Sequence, residues 1–271
     1  MFPTSKAVKS TAIENLKGKW VKNSCAALIP VVLIIIFAMI GKLLYAEMPF
    51  KITGILLAVS ALFVFVLIVC PVMLGCVRFF RYASLDKETK IGELFFYFSS
   101  KTDYLRALFF TLNFTVRIFI IGFLFMLPSF IADLAYHGRL DFLTGNVTPL
   151  WFNDLWIVSI FLRAAAVFAF AMVMLRYYLA PFIFAANDSI SANEAIHLSS
   201  CASKISSIAF LSLSLSLILW IALSVLIIPM VFTLPYLFAC YTAHCNFAVY
   251  HYNKSLKIQN SKETFDPDFD I

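Results

Sequence analysis

The chain has 271 residues, of which 62% are hydrophobic, 17% aromatic and 13% charged, and its mean hydropathy is +0.91. Soluble domains carry about a quarter charged and about half apolar residues, so this composition excludes a soluble globular protein. The net charge of +6 comes from basic residues placed beside apolar segments, a pattern that favours contact with a membrane over contact with nucleic acid.

The N-terminal segment, residues 1–24, is polar and basic, and we predict that it forms an amphipathic interfacial helix. Val8, Ala12, Leu16 and Trp20 recur every four residues and therefore share one helical face. Lysines occupy much of the remaining surface, which is typical of a helix lying at the level of the lipid headgroups. A solvated N-terminal helix is the alternative.

Apolar segments long enough to cross a bilayer occupy most of residues 25–250. The predicted spans are 25–45, 52–77, 107–132, 155–174, 205–228 and 231–250. Because a helix rises about 1.5 Å per residue, the first span covers roughly 31 Å, enough for a hydrocarbon core of about 30 Å. The sequence thus predicts an all-α, polytopic membrane bundle of about six transmembrane helices.

Two of the loops between spans are predicted to carry short interfacial helices. An apolar stripe between Ile91 and Phe98 indicates one of them in the loop after the second span. In the loop after the fourth span, Ser191 and Glu194 have the spacing of a capping box, which predicts another short helix ending near Ala202.

Basic residues are distributed unevenly between the two sides that six spans define. One side holds sixteen: five in the N-terminal segment, six in the second loop, two in the fourth loop and three in the tail. The other side holds Lys51 and Arg139. Since cytoplasmic loops are enriched in Lys and Arg, we predict a multi-pass protein of the cell membrane with both termini in the cytoplasm. The tail, residues 251–271, has low hydrophobicity and is predicted to be disordered.

Two arginines, Arg117 and Arg163, lie inside the third and fourth predicted spans. The spans run in opposite directions, so both guanidinium groups are expected roughly 12–15 Å from a membrane face. A charge at that depth costs several kcal/mol unless it is paired or hydrated, and no acidic residue lies at a comparable depth in the predicted spans. We predict that both arginines, helped by Asn113, line a hydrated cleft that binds an anion such as a lipid phosphate. Alternatively, each arginine snorkels or bonds backbone carbonyls and stabilises the bundle.

Motifs for catalysis or metal binding are not evident in the sequence. There is no GxSxG, HExxH or Walker-type lysine loop, so we expect a protein that is not an enzyme and has no cofactor. The six cysteines form no CxxC pair. Cys240, His244 and Cys245 would need a further ligand to hold a metal ion, and a metal site is not expected.

Several short motifs are spread over most of the chain. They lie in residues 12–20, 75–80, 93–95, 178–185, 194–196 with Ser199, 216–220 and 235–236. Together they resemble an uncharacterised bacterial family of integral membrane proteins, the domain-of-unknown-function 975 family. The resemblance implies a membrane architecture and no established activity, so it assigns no catalytic residues.

The sequence leaves two functional hypotheses. The first is transport or handling of an anionic small molecule or lipid, with anionic membrane lipids as partners and no role for nucleic acid. The alternative is a non-catalytic membrane scaffold or assembly partner. Flux of a substrate in liposomes would favour the first, and co-purification with one stable partner without flux would favour the second.

Overall fold

A computed structural model describes residues 3–46, 51–85, 89–136 and 155–263. Within these ranges the chain folds as α1 (Ser5–Leu16), α2 (Trp20–Ala46), α3 (Lys51–Ser84), a 3₁₀ helix (Ile91–Phe98), α4 (Lys101–Tyr136), α5 (Leu155–Tyr177), α6 (Ala180–Ala186), α7 (Ala192–Leu223) and α8 (Ile227–Glu263). Six helical segments are long and apolar enough to cross a membrane. The predicted all-α, six-span membrane bundle is therefore confirmed.

The helices continue beyond the apolar segments that predicted them. α4 begins at Lys101 and ends at Tyr136, whereas its predicted span covers 107–132. α7 is one helix that contains both the predicted short helix after Ser191 and the fifth span, so the prediction of two separate helices there is wrong. Hydropathy marks where a helix crosses lipid, whereas backbone hydrogen bonds continue through adjacent polar residues unless Gly or Pro interrupts them. The predicted capping box of Ser191 and Glu194 is confirmed.

α1 carries the predicted apolar face, but protein covers that face. Val8, Ala12 and Leu16 are buried in a cluster formed with side chains of α7 and α8. Lys9 Nζ adds a hydrogen bond of 2.9 Å to the carbonyl oxygen of Ser216 on α7. The four-residue spacing identified the buried face correctly, and that face lies against α7 and α8; the position of α1 at the lipid headgroups stays a prediction. Sequence periodicity shows which face is buried, and it does not show what buries it.

The largest buried cluster lies where α6 meets the end of α3, the 3₁₀ helix and the beginnings of α4 and α7. The Phe184 ring of α6 stacks on Phe110 of α4 at a centroid distance of 4.2 Å and on Tyr97 at 6.2 Å. Burial is uneven along the bundle: 56% of the most apolar window of α3 is buried, against 6% of that of α4. One end of the molecule is thus packed like a soluble core, while the α4–α5 hairpin exposes apolar side chains to lipid.

The predicted tail and one predicted loop lie partly outside the residues that the structure describes. α8 continues as a helix to Glu263, so residues 251–263 of the tail, predicted to be disordered, are helical. Residues 264–271 lie outside the described part of the chain, as does most of the loop that contains Arg139, residues 137–154. Lys51 is the first residue of α3.

Candidate functional site

Arg117 extends from α4 to the beginning of α7. Its Nη2 donates a hydrogen bond of 2.9 Å to Asn193 Oδ1, and Asn113 Nδ2 donates one of 3.2 Å to the same oxygen. The Arg117 side chain is exposed. In the described ranges no carboxylate lies within ion-pair distance of it. Its positive charge is therefore held by a neutral amide and is not neutralised by an acidic side chain.

Arg163, on α5, has the acidic partner that the sequence did not lead us to expect. Its Nη2 forms an ion pair with Asp133 of α4, and its Nε lies 3.4 Å from Ser129 Oγ. Because α4 continues past residue 132, Asp133 belongs to the helix and faces Arg163. The expectation that Arg163 has no acidic residue at its depth is wrong, since the predicted span ended one residue too early.

The structure does not bring Arg117 and Arg163 together. Ser129, a partner of Arg163, follows Arg117 on α4 by twelve residues, which corresponds to roughly 18 Å along the helix axis. The two guanidinium groups therefore occupy opposite parts of the α4–α5 hairpin. Their depths were counted from the ends of the apolar segments, whereas α4 extends beyond its predicted span at both ends, from Lys101 to Tyr136.

Three cations without an acidic partner in the described ranges, Arg117, Arg176 and Lys204, lie toward the same end of the α4–α5 hairpin. A Cβ atom on Gly122 of α4 would lie 3.3 Å from the Phe170 ring of α5. The two helices are antiparallel neighbours, so Arg117, five residues before Gly122, lies opposite about five residues after Phe170, close to Arg176. Lys204 of α7 lines the same cavity as Arg176, whereas Arg117 bonds Asn193, which precedes Lys204 on α7 by eleven residues, or roughly 16 Å along the helix axis. We call Arg117, Arg176 and Lys204 the cationic end of the hairpin.

A cavity of about 620 Å³ opens between α5 and α7 at this cationic end. Its walls include Met172, Val173, Leu175 and Arg176 from α5 and Lys204 and Ser207 from α7, and we call it the α5–α7 groove. Arg176 and Lys204 are both exposed. In the described part of the chain neither has a carboxylate within ion-pair distance. In the sequence these two residues are the basic residues of the fourth loop, and their position beside apolar residues is the signal that could have marked them.

A second cluster of basic residues binds the loop between α6 and α7. Arg78 of α3 is buried, forms an ion pair with Asp188 and lies with its guanidinium 3.6 Å from the centroid of the Phe96 ring. Arg81 Nη1 donates to the carbonyl oxygen of Ala186 at 2.7 Å. These bonds fix the loop against α3. Nothing in the sequence paired Arg78 with Asp188, which follows it by 110 residues.

Arg106 of α4 completes this cluster. Its Nε and Nη2 donate to the carbonyl oxygen of Ile190 at 3.2 and 2.9 Å. The hydrogen bond from Arg78, together with the positive charges around it, lowers the pKa of Asp188 below that of an ordinary aspartate. Burial raises the pKa of the neighbouring Tyr97 to about 12. Near neutral pH Asp188 is therefore charged and Tyr97 is neutral, and neither changes its charge, as expected of residues with a structural role.

A buried polar network joins the turn between α5 and α6 to α7 and α8. The Tyr178 hydroxyl lies 2.7 Å from Ser206 Oγ and 2.9 Å from His244 Nε2. Tyr241 donates a hydrogen bond of 2.7 Å to the carbonyl oxygen of Tyr178. The His244 ring therefore takes part in packing α8 against this turn. Among the described residues no group of three or more His, Cys, Asp or Glu side chains could hold a metal ion.

The family model described as a protein of unknown function, DUF975, matches residues 1–249. The chain belongs to the DUF975 family. The match begins before α1 and ends within α8, so it covers every span candidate at least in part. Comparison with curated proteins and with solved structures gives no match. Membership of DUF975 and the six span-length helices together establish a multi-pass integral membrane protein.

Motifs that carried the resemblance to DUF975 meet in the packed end of the structure. Gly75 of α3 lies so close to the 3₁₀ helix that a Cβ atom on it would be 2.0 Å from the carbonyl oxygen of Leu94. Ser199 of α7 donates a hydrogen bond of 3.0 Å to the carbonyl oxygen of Arg176. Phe184, from residues 178–185, lies at the centre of the largest cluster. These motifs therefore specify packing between distant segments.

Proposed function

We propose that this DUF975 protein handles an anionic small molecule or lipid in the cell membrane and that it does so without catalysing a covalent reaction. The observation that carries the proposal is the cationic end of the α4–α5 hairpin. There Arg117, Arg176 and Lys204 lie on span-forming helices, and in the described ranges none has an acidic partner.

The physical argument rests on the cost of an unneutralised charge next to hydrocarbon. A cationic side chain in a membrane-crossing helix is expensive unless it is paired, hydrated or able to reach the interface. Phosphate groups of lipids and soluble phosphates supply the missing negative charge with several acceptor oxygens. Arg163 provides the contrast on the same hairpin, because Asp133 already neutralises it.

The orientation that we propose is N-terminus and C-terminus in the cytoplasm. The excess of basic residues on one side supports it, and it places Arg176 and Lys204 on the cytoplasmic side. Two reporters can be fused to the protein, one that is active only in the cytoplasm and one that is active only outside it. Fusions after residues 20, 85 and 255 should be active with the cytoplasmic reporter, and a fusion within residues 137–154 with the external reporter. The opposite pattern would reverse the orientation and leave the cationic end outside.

Flux measurements in proteoliposomes test the proposed function. Vesicles containing the purified protein would be assayed with a fluorescent phosphatidylglycerol and, separately, with radioactive inorganic phosphate. We expect the protein to move one of these probes and Arg117→Gln to reduce the rate at least tenfold. The matched control combines Arg163→Gln with Asp133→Asn, which removes the neutralised arginine without leaving an unpaired acid.

The possible outcomes separate the two functional hypotheses. Movement of phosphatidylglycerol alone would identify a lipid substrate, and movement of phosphate alone would identify a soluble one. No movement of either probe by correctly inserted protein would refute the proposal. If a single protein also co-purifies in a fixed ratio, the alternative of a scaffold or assembly partner would replace it.

A further inference from the structure

The α5–α7 groove combines features that belong to a site for an amphiphile. Arg176 and Lys204 place two positive charges at the groove, and no acidic residue is among those that line it. Met172, Val173 and Leu175 form an apolar wall beside these charges. Both helices that form the groove are span candidates, so lipid acyl chains are the expected neighbours of this apolar wall.

Hydrogen bonds to the backbone of α5 hold the groove together and do not involve the cationic side chains. Ser199 Oγ and Ser203 Oγ of α7 donate hydrogen bonds of 3.0 and 3.1 Å to the carbonyl oxygen of Arg176. These two bonds tie the end of α5 to α7 and set the spacing between the walls. The guanidinium group of Arg176 takes no part in them, and within the described ranges it makes no hydrogen bond or ion pair.

Comparison with a neighbouring cavity shows why the anion belongs in this groove. The cavity of about 580 Å³ beside Asn193 is lined by Glu194 and His197 as well as by apolar residues. The Glu194 carboxylate accepts a hydrogen bond from the Ser191 N–H and repels a second anion. Arg117 bonds Asn193 at that cavity, but Glu194 is among the residues that line it. The α5–α7 groove has two lining cations and no lining carboxylate, so it is the more favourable of the two for a phosphate group.

We propose that the α5–α7 groove binds one phosphate-bearing lipid, with the phosphate between Arg176 and Lys204 and an acyl chain along Met172, Val173 and Leu175. Arg176 offers paired N–H donors to two phosphate oxygens, and Lys204 offers a compact positive charge. The inference shares its ligand class with the proposed function. Binding at equilibrium does not depend on movement across the membrane, so the two proposals can fail separately.

Native mass spectrometry of the full-length protein, released from a mild detergent, tests the groove. Dioleoylphosphatidylglycerol is added in one arm, dioleoylphosphatidylcholine in the second and inorganic phosphate in the third. We expect one phosphatidylglycerol per chain to be retained. Two cations near a membrane surface strengthen binding of an anionic lipid roughly 30-fold, so the double variant Arg176→Gln, Lys204→Gln should weaken the retention by about that factor.

Three further variants make the result specific to the groove. Lys90→Gln with Lys101→Gln removes the same net charge from exposed lysines on other segments and should leave retention within about twofold of the parent protein, since distant charges are screened. Arg176→Lys keeps the charge and should retain part of the affinity. Val173→Trp places a larger side chain in the groove without a change in charge and should also weaken binding of the lipid.

The proposal would be overturned by any of three results. Equal weakening in the Lys90, Lys101 control and in the groove variant would show a general charge effect. Retention that is unaffected by both the double variant and Val173→Trp would place the lipid elsewhere. Binding of inorganic phosphate that the double variant abolishes, without retained phosphatidylglycerol, would assign the groove to a soluble anion. If the double variant elutes as aggregate, Val173→Trp decides the question.

Discussion

Gly75→Ala is expected to destabilise the fold because Gly75 is in contact with the backbone of the 3₁₀ helix. An added Cβ atom would lie 2.0 Å from the carbonyl oxygen of Leu94, and real Cβ contacts essentially never fall below 3.0 Å, so the two segments must separate by about 1 Å, the difference between these distances. Leu94 is buried against α2 and α3. Overpacking a core costs about 1–3 kcal/mol, and we expect the upper part of this range because backbone must move.

A graded set of glycine variants isolates the steric cause. Gly41→Ala is the control, since nothing lies within 4 Å of a Cβ atom there. Gly122→Ala is intermediate, because the Phe170 ring at 3.3 Å is a side chain that can yield. For a chain of this size about 1 kcal/mol shifts the melting temperature by roughly 2–4 °C. We therefore expect Gly75→Ala to lower it by roughly 5–10 °C, Gly122→Ala by less, and Gly41→Ala hardly at all.

Unfolding can be followed with a thiol-reactive dye, because Cys76, Cys240 and Cys245 are buried in the fold. Exposure of these thiols on heating gives an apparent melting temperature in detergent. A Gly75→Ala protein that melts with the Gly41→Ala control would refute the reasoning. It would mean that the 3₁₀ helix does not lie against α3 as closely as the structure has it.

Three other predictions follow from ion pairs and hydrogen bonds. Arg78 lowers the pKa of Asp188, so the stability that this pair contributes is complete above the unfolded pKa of about 3.9 and is lost as the pH falls through the lower folded pKa. The melting temperature of the wild-type protein should therefore fall more steeply below about pH 4 than that of Asp188→Asn. Parallel curves of melting temperature against pH would contradict this. Arg163→Gln and Asp133→Asn should show a coupling energy of about 1 kcal/mol in a double-mutant cycle, whereas additive losses would mean that the pair contributes nothing. Tyr178→Phe removes a hydroxyl that bonds both α7 and α8 and should cost about 1–2 kcal/mol, measured as a lower melting temperature with an unchanged elution volume. An unchanged melting temperature would count against the network.

Patterns confined to one segment were readable from the sequence. Runs of apolar residues long enough to cross a bilayer are visible in the sequence, so the number of spans could be predicted, although their bounds could not: α7 begins at Ala192, 13 residues before the predicted fifth span. The four-residue spacing of Val8, Ala12 and Leu16 identified the buried face of α1. The capping box of Ser191 and Glu194 is a local hydrogen-bond motif and was found at its correct position.

Contacts between segments were not readable, because no local rule determines them. Asp133 looked like a loop residue until α4 was seen to continue through it to face Arg163. The pairing of Arg78 with Asp188 depends on how α6 packs on α3. The α5–α7 groove required the bonds from α7 to the Arg176 carbonyl, which bring Lys204 beside Arg176. Cations with partners and cations without them look alike in a sequence.

The low burial of α4 has a consequence for how the molecule responds to its surroundings. Only 6% of the residues in its most apolar window are buried by protein, so apart from α5 the main neighbour of α4 there is the hydrocarbon of the bilayer. The length of the lipid acyl chains should therefore set the tilt of the α4–α5 hairpin, since a helix tilts more in a thinner bilayer to keep its apolar length within the hydrocarbon. The densely packed end, where α3 and α6 meet, should keep its shape across the same series of lipids.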